Sequence, residues 1–240
     1  MIFEKFYYFN IIYIIVFLIF RKNAEKEGAF LLTFCFISVK MIYYDLKIKM
    51  GRCFLVLDNL IQKILVSEEE IDEITTRLAT EINCDYAGED KNLVIVSVLK
   101  GAMPFTTDLM KKLDVVCELE CVRVSSYGSG TESSGKIKML LDFDRADFSE
   151  CDFLVVEDIV DSGNTLSYLV KHLMDKGARS VKTCTLLDKP SRRKVDFKSD
   201  YVGKEIPDEF VFGYGLDLFE EYRNLPYVAV VNLDAIKVNE

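Results

Sequence analysis

An apolar run beginning at Phe153 ends in the adjacent acids Glu157 and Asp158; two residues later Asp161-Ser-Gly-Asn-Thr165 leads into a helical pattern from Leu166 to Lys176. A short continuous apolar run bounded by turn residues reads as a strand covered on both faces. The order is that of a buried strand delivering acids to its C-terminal tip, followed by a tight turn into a helix. Repeated alternation of strands and helices along the chain implies a mainly parallel α/β sheet with ligands at the strands' C-terminal ends. A turn into a helix N-terminus points free backbone N–H groups outward and favours anions, phosphate above all. Acids at the strand's tip beside such a cradle suit sugar hydroxyls and a divalent cation. The expected ligand is a phosphorylated sugar.

The flanking sequence carries the same alternation. Ser67-Glu-Glu-Glu70 precedes apolar positions at 71, 74, 78 and 82, which predicts a capping box opening an amphipathic helix to about Tyr86. Strands are expected at Leu93–Leu99, Glu118–Ser125, Ile137–Leu141, 153–158 and Val181–Leu187, with shorter ones near 201, 210–214 and 227–232. A helix is expected over Ala102–Leu113, with Pro104 tolerated in its first turn. The Gly- and Ser-rich Tyr127–Gly135 fits neither element and is a candidate flexible lid.

Residues 1–55 differ from the rest. Phe6–Phe20 and Ala29–Tyr44 are apolar with a charged stretch between them. Each is shorter than the roughly 20 residues that span a bilayer comfortably, and the first lacks the flanks of a signal peptide. The preferred expectation is a start of translation near Met50, a membrane segment being the rival. Residues 56–240 then form the working domain, in the cytoplasm.

Charge and cysteine usage narrow the function. A net charge of −9 and a pI near 4.9 disfavour nucleic acid as partner. Seven cysteines without a Cys-x-x-Cys pair read as free thiols. The single histidine, His172, falls inside the predicted helix and reads as a surface residue, which disfavours Ser-His-Asp and His-metal chemistry.

Four further segments are expected at the same sheet edge. Lys100-Gly101 follows a buried strand and is either an anion-binding turn or an ordinary surface turn. Ser126-Tyr127 opens the lid. Lys189 follows the strand 181–187, as a ligand donor or a solvated lysine. Phe210-Val211 through Asp217, with Arg223 beyond, offers an aromatic face, a carboxylate and a guanidinium fork suited to phosphate. Core packing is the alternative for Phe210.

Taken together, Val98-Leu-Lys-Gly-Ala-Met-Pro-Phe105, Ser125-Ser-Tyr-Gly128, the acid motif, Leu186-Leu-Asp-Lys-Pro190, Pro207-Asp-Glu-Phe-Val211, Gly213-Tyr-Gly-Leu-Asp217 and Tyr222-Arg-Asn-Leu-Pro226 resemble the phosphoribosyltransferase family. Within it they resemble the bacterial hypoxanthine-guanine branch. The likeness runs from about Ile64 to Val231 and leaves residues 1 to about 55 unmatched. It implies the type I phosphoribosyltransferase fold: a mainly parallel sheet flanked by helices, with a small hood of short strands and a lid. It implies purine salvage, in which phosphoribosyl pyrophosphate and hypoxanthine or guanine give the nucleoside monophosphate and pyrophosphate with Mg²⁺; the alternative is a non-catalytic phosphosugar sensor. The implied roles are Asp161 as general base and Glu157, Asp158, Asp161, Ser162, Gly163, Asn164 and Thr165 for the ribose 5-phosphate. Lys100, Gly101 and Arg223 fall to pyrophosphate, Lys189, Phe210, Val211 and Asp217 to the purine, and Glu157, Asp158 and Asp217 to metal. A homodimer or homotetramer is the implied assembly.

Overall fold

The structure is a computed structural model, and it describes residues 57–88, 92–126 and 137–237. Six strands form the main sheet: β2 (Leu93–Val98), β3 (Cys117–Ser126), β4 (Ile137–Leu141), β5 (Asp152–Val160), β6 (Ser180–Asp188) and β7 (Tyr201–Glu205), in the order β4-β3-β2-β5-β6-β7. Every neighbouring pair is parallel except β3–β4, which is antiparallel. A second sheet is antiparallel, with order β1-β9-β8, built from β1 (Ile61–Val66), β8 (Val211–Phe212) and β9 (Val228–Val231). It is the expected hood. β1 was not expected, because its side chains are mostly exposed or half-buried and its partner lies near the other end of the chain.

The sheets are flanked by helices α1 (Glu68–Tyr86), α2 (Met103–Met110), α3 (Asn164–Asp175) and α4 (Leu233–Lys237), with a 3-10 turn at Pro190–Arg192. The central strands are buried on both faces, as continuous apolar runs require. Leu93, Ile95, Leu154 and Val156 pack with Ile71, Leu78 and Ile82 of α1 and Phe105 and Leu109 of α2. Val94, Val96, Phe153 and Val155 pack on the other face with Leu166, Leu169 and Leu173 of α3. Burial of each such side chain contributes about 1.5–3 kcal/mol.

Three local expectations are corrected. Only half of the capping box forms: Ser67 Oγ accepts from the Glu70 amide at 3.2 Å, while the Glu70 carboxylate pairs with Lys204 across to β7. α2 stops at Met110, and tighter i→i+3 bonds close the chain to Leu113. His172 is no plain surface residue. Its ring stacks on Tyr168 at 5.8 Å, and Nε2 lies 3.0 Å from Asp142 Oδ1, joining α3 to the segment after β4.

Candidate active site

β2 and β5 run side by side, with Ser97 opposite Val156, so the turn after β2 meets the second half of β5. The meeting is close. A Cβ on Gly101 would stand 1.8 Å from Asp158 Oδ2, and one on Gly215 would stand 2.0 Å from the Gly101 carbonyl oxygen. Glycine at these two positions brings three segments together: the Lys100-Gly101 turn, the acid motif and the 213–226 loop. The Leu99–Lys100 peptide is cis.

Glu157 and Asp158 were expected at the strand tip. β5 instead runs on to Val160, because Ile159 and Val160 still pair with Leu187 and Asp188 of β6. Both acids are therefore buried inside the sheet's end. Among the described residues no cation lies within ion-pair distance of either. Burial, then Asp158's charge, pushes the Glu157 carboxyl well above the usual carboxylate range; burial raises Asp158 as well. Glu157 holds its proton more tightly in the folded chain than in the unfolded one, so the native state loses stability as pH climbs above about 4.5, the glutamate value in the unfolded chain. Glu157→Gln removes that burden. In metal-free buffer the variant is expected to melt higher than the parent at pH 8, the gain shrinking toward pH 5. Thermal denaturation across that range with a chelator present checks this; an equal or lower melting point at pH 8 contradicts it.

Asp161, Ser162, Gly163, Asn164 and Thr165 form the turn from β5 into α3. Gly163 is the helix N-cap at φ +80°, where a side chain would be strained and would meet Arg193, Val195 and Phe197 at 3.1–3.2 Å. The Asn164 amide donates to Ser162 Oγ at 3.3 Å, and the Lys194 amide donates to the Ser162 carbonyl at 3.0 Å. The loop is thus held from behind by residues 193–197, leaving the first-turn amides of α3 after Asn164 for an anion.

Asp161 and Lys189 leave neighbouring strand ends and face each other. Lys189 is buried, and its Nζ stands 3.6 Å from Asp161 Oδ1, which is itself buried without a hydrogen-bond partner. Arg192 Nε lies 3.9 Å from Asp161 Oδ2, and its Nη1 is 3.1 Å from Asp208, two residues before Phe210. A buried lysine donor beside an unsatisfied acceptor suits a ligand that offers an acceptor and a donor on adjacent atoms. Phe210 is 56% exposed, so its ring is available for stacking rather than committed to the core; Val211 is buried in β8.

Lys100, Asp217 and Arg223 also converge, through a residue that the sequence did not single out. Glu220 Oε2 is 2.6 Å from Lys100 Nζ and 3.5 Å from Arg223 Nη2. Its hydrogen bond with Lys100, and that lysine's charge, hold its carboxyl below the usual range. Arg223 Nη2 meets Asp217 Oδ1 at 2.8 Å, and Nη1 donates to the Gly215 carbonyl at 2.8 Å. Asp217 therefore turns to Arg223 and does not cluster with Glu157 and Asp158. Among the described residues no three His, Cys, Asp or Glu side chains gather as a metal cluster. A buried acid pair lacking a cation still fits Mg²⁺, which is commonly held by one or two carboxylates with water and substrate phosphates. Ser126 ends β3 opposite Ile137 of β4, while Tyr127 and the rest of the lid lie outside the described residues.

A mainly parallel sheet with an anion-suited turn and an acid pair at its C-terminal end defines a class, and the match to known proteins agrees. The phosphoribosyl transferase domain matches residues 62–218, and the chain belongs to that family. Its similarity falls within the hypoxanthine-guanine branch. It is 50% identical to the Bacillus subtilis hypoxanthine-guanine phosphoribosyltransferase over 171 residues, covering 71% of this chain and 93% of that protein. It is 51% identical to the bifunctional protein TilS/HprT of Listeria monocytogenes over 173 residues, 72% of this chain but only 26% of that longer protein. Among solved structures, a hypoxanthine phosphoribosyltransferase from Staphylococcus aureus superposes with a TM-score of 0.71 at 42% identity, over 75% of this chain and 96% of the other. The expected type I fold is therefore correct.

Proposed function

We propose that the chain transfers the 5-phosphoribosyl group from phosphoribosyl pyrophosphate to hypoxanthine or guanine, releasing pyrophosphate, as a step of purine salvage. The Asp161–Lys189 pair beside the phosphate turn carries this reading. Lys189 donates to the purine's 6-oxygen and Asp161 handles the proton at the adjacent ring nitrogen. Phe210 stacks on the base, and the backbone at Val211 and Asp217 reads its 2-position. The α3 amides with Ser162, Gly163, Asn164 and Thr165 hold the 5-phosphate, and Glu157 and Asp158 take the ribose hydroxyls. Lys100, Gly101 and Arg223 receive pyrophosphate in exchange for the Glu220 carboxylate. Glu157 and Asp158 would hold one Mg²⁺ and Asp217, on the other side, a second; the metal would supply charge neutralisation of the phosphates. Ser126 and Tyr127 close the lid against water, which would otherwise trap the sugar cation.

Pyrophosphate release from phosphoribosyl pyrophosphate, assayed with hypoxanthine, guanine, xanthine, adenine and uracil, tests the reading. Turnover with the 6-oxopurines and none with adenine is expected, since adenine's amino group cannot accept from Lys189. Turnover with none of the five rejects it. Lys189→Ala removes a charged hydrogen bond worth about 1.5–3 kcal/mol, so purine affinity should drop about ten- to a hundred-fold. Phosphoribosyl pyrophosphate affinity should stay; a parallel loss of both, read by calorimetry, takes Lys189 out of the base pocket.

Residues 1–55 are proposed to lie outside the working domain. Mass spectrometry of the native N-terminus checks this: a peptide containing Ile11–Phe20 would contradict a start near Met50. No helix among the described residues is long and apolar enough to cross a membrane. A homodimer or homotetramer in the cytoplasm is the proposed state, read by light scattering and cell fractionation.

A further inference from the structure

Arg193 has no role in the reading above, yet it is the most heavily bonded side chain behind the site. It is largely buried, 16% exposed, and follows the 3-10 turn after Lys189. Nη1 donates to the carbonyl oxygens of Val160 at 3.0 Å and Asp161 at 2.6 Å. Nε donates to the Phe197 carbonyl at 3.1 Å, and Nη2 pairs with the carboxylate of Asp188, the residue before Lys189. One planar fork therefore ties the end of β5, the end of β6 and the strap behind the phosphate turn.

We infer that Arg193 is a positioning residue, setting the approach of Asp161 to Lys189 by gripping the backbone that carries Asp161. Asp161 Oδ1 has no hydrogen-bond partner of its own. Among the described residues only the longer ion pairs with Lys189 at 3.6 Å and Arg192 at 3.9 Å hold the Asp161 carboxylate, so its place depends strongly on its backbone, whose carbonyl is a ligand of Arg193. Lysine cannot substitute. Its ammonium is a compact charge that can meet Asp188 or the two carbonyls, but it lacks the fixed fork that reaches all of them. The ion pair and the carbonyl grip can also be separated. Asp188→Asn keeps an oxygen acceptor and leaves the carbonyl bonds in place.

The inference rests on the proposed phosphoribosyl transfer, so the wild-type chain is assayed alongside. Steady-state kinetics with hypoxanthine and phosphoribosyl pyrophosphate, together with melting temperatures, are measured for Arg193→Lys and Asp188→Asn. Arg193→Lys is expected to lower kcat by about ten- to a hundred-fold, as a misplaced catalytic group does. Its KM values should move far less, and its melting temperature only slightly. Asp188→Asn should keep most of the wild-type kcat. An undiminished kcat in Arg193→Lys, an equal loss in Asp188→Asn, or an Arg193→Lys chain that does not fold each overturns the positioning role. A wild-type chain that releases no pyrophosphate rejects the transfer reading itself, and the role of Arg193 with it.

Discussion

Asp161→Asn is expected to lower kcat by about a hundred- to ten-thousand-fold, the range that a positioned proton acceptor supplies. The substitution is nearly isosteric. It keeps the backbone carbonyl that Arg193 holds and the turn that leads to Gly163, so the phosphate cradle should survive. What it removes is an oxygen able to take a proton, and it does so 3.6 Å from the Lys189 ammonium. KM values for both substrates should change by no more than about threefold, since the loss falls on the transition state rather than on ground-state binding. Single-turnover measurements on the purified variant would separate chemistry from product release. Unaltered turnover would exclude Asp161 as the base and leave Lys189 as a binding residue without a catalytic neighbour.

The part of this site that could be read from the sequence is the part whose chemistry is local. The turn Asp161–Thr165 is a strand end, a left-handed glycine and a helix start in consecutive residues, and each is a backbone preference carried by residue type. Lys189 and Phe210 were legible for a related reason: each lies at or beside the end of a strand that periodicity predicts. The position of Glu157 and Asp158 within their strand was not. Where β5 ends is decided by its pairing with Leu187 and Asp188, and no local signal records that register. Arg193 and Glu220 escaped because their roles consist of partners. A guanidinium holding three carbonyls and a carboxylate bridging Lys100 and Arg223 exist only after segments distant in sequence have met. His172 shows the same limit on a smaller scale, since neither Phe143 nor Asp142 belongs to its helix.

Gly101→Ala is expected to disable the site while leaving a folded chain. Its added Cβ would stand 1.8 Å from Asp158 Oδ2 and 2.6 Å from Asp158 Cγ. No rearrangement of a flexible tip relieves that contact, because Asp158 is a short side chain buried at the edge of the sheet. Either the Lys100-Gly101 turn moves away, taking Lys100 from Arg223 and Glu220, or the acid pair moves. Overpacking of this kind costs about 1–3 kcal/mol of stability. The loss of activity should be far larger, on the order of a hundred-fold or more, because a displacement of about 1 Å at a reacting centre has that effect. Gly177→Ala separates the two kinds of glycine. Gly177 sits at φ +91° with nothing near its missing Cβ, so alanine there should cost about 1–2 kcal/mol through backbone strain and leave kcat unchanged. Melting temperatures and pyrophosphate-release kinetics on both variants provide the comparison. If Gly101→Ala retained full turnover, the close approach of the turn to Asp158 would have no part in phosphoribosyl transfer. If the two variants lost activity equally, the site would be responding to general destabilisation instead of to the collision at Asp158.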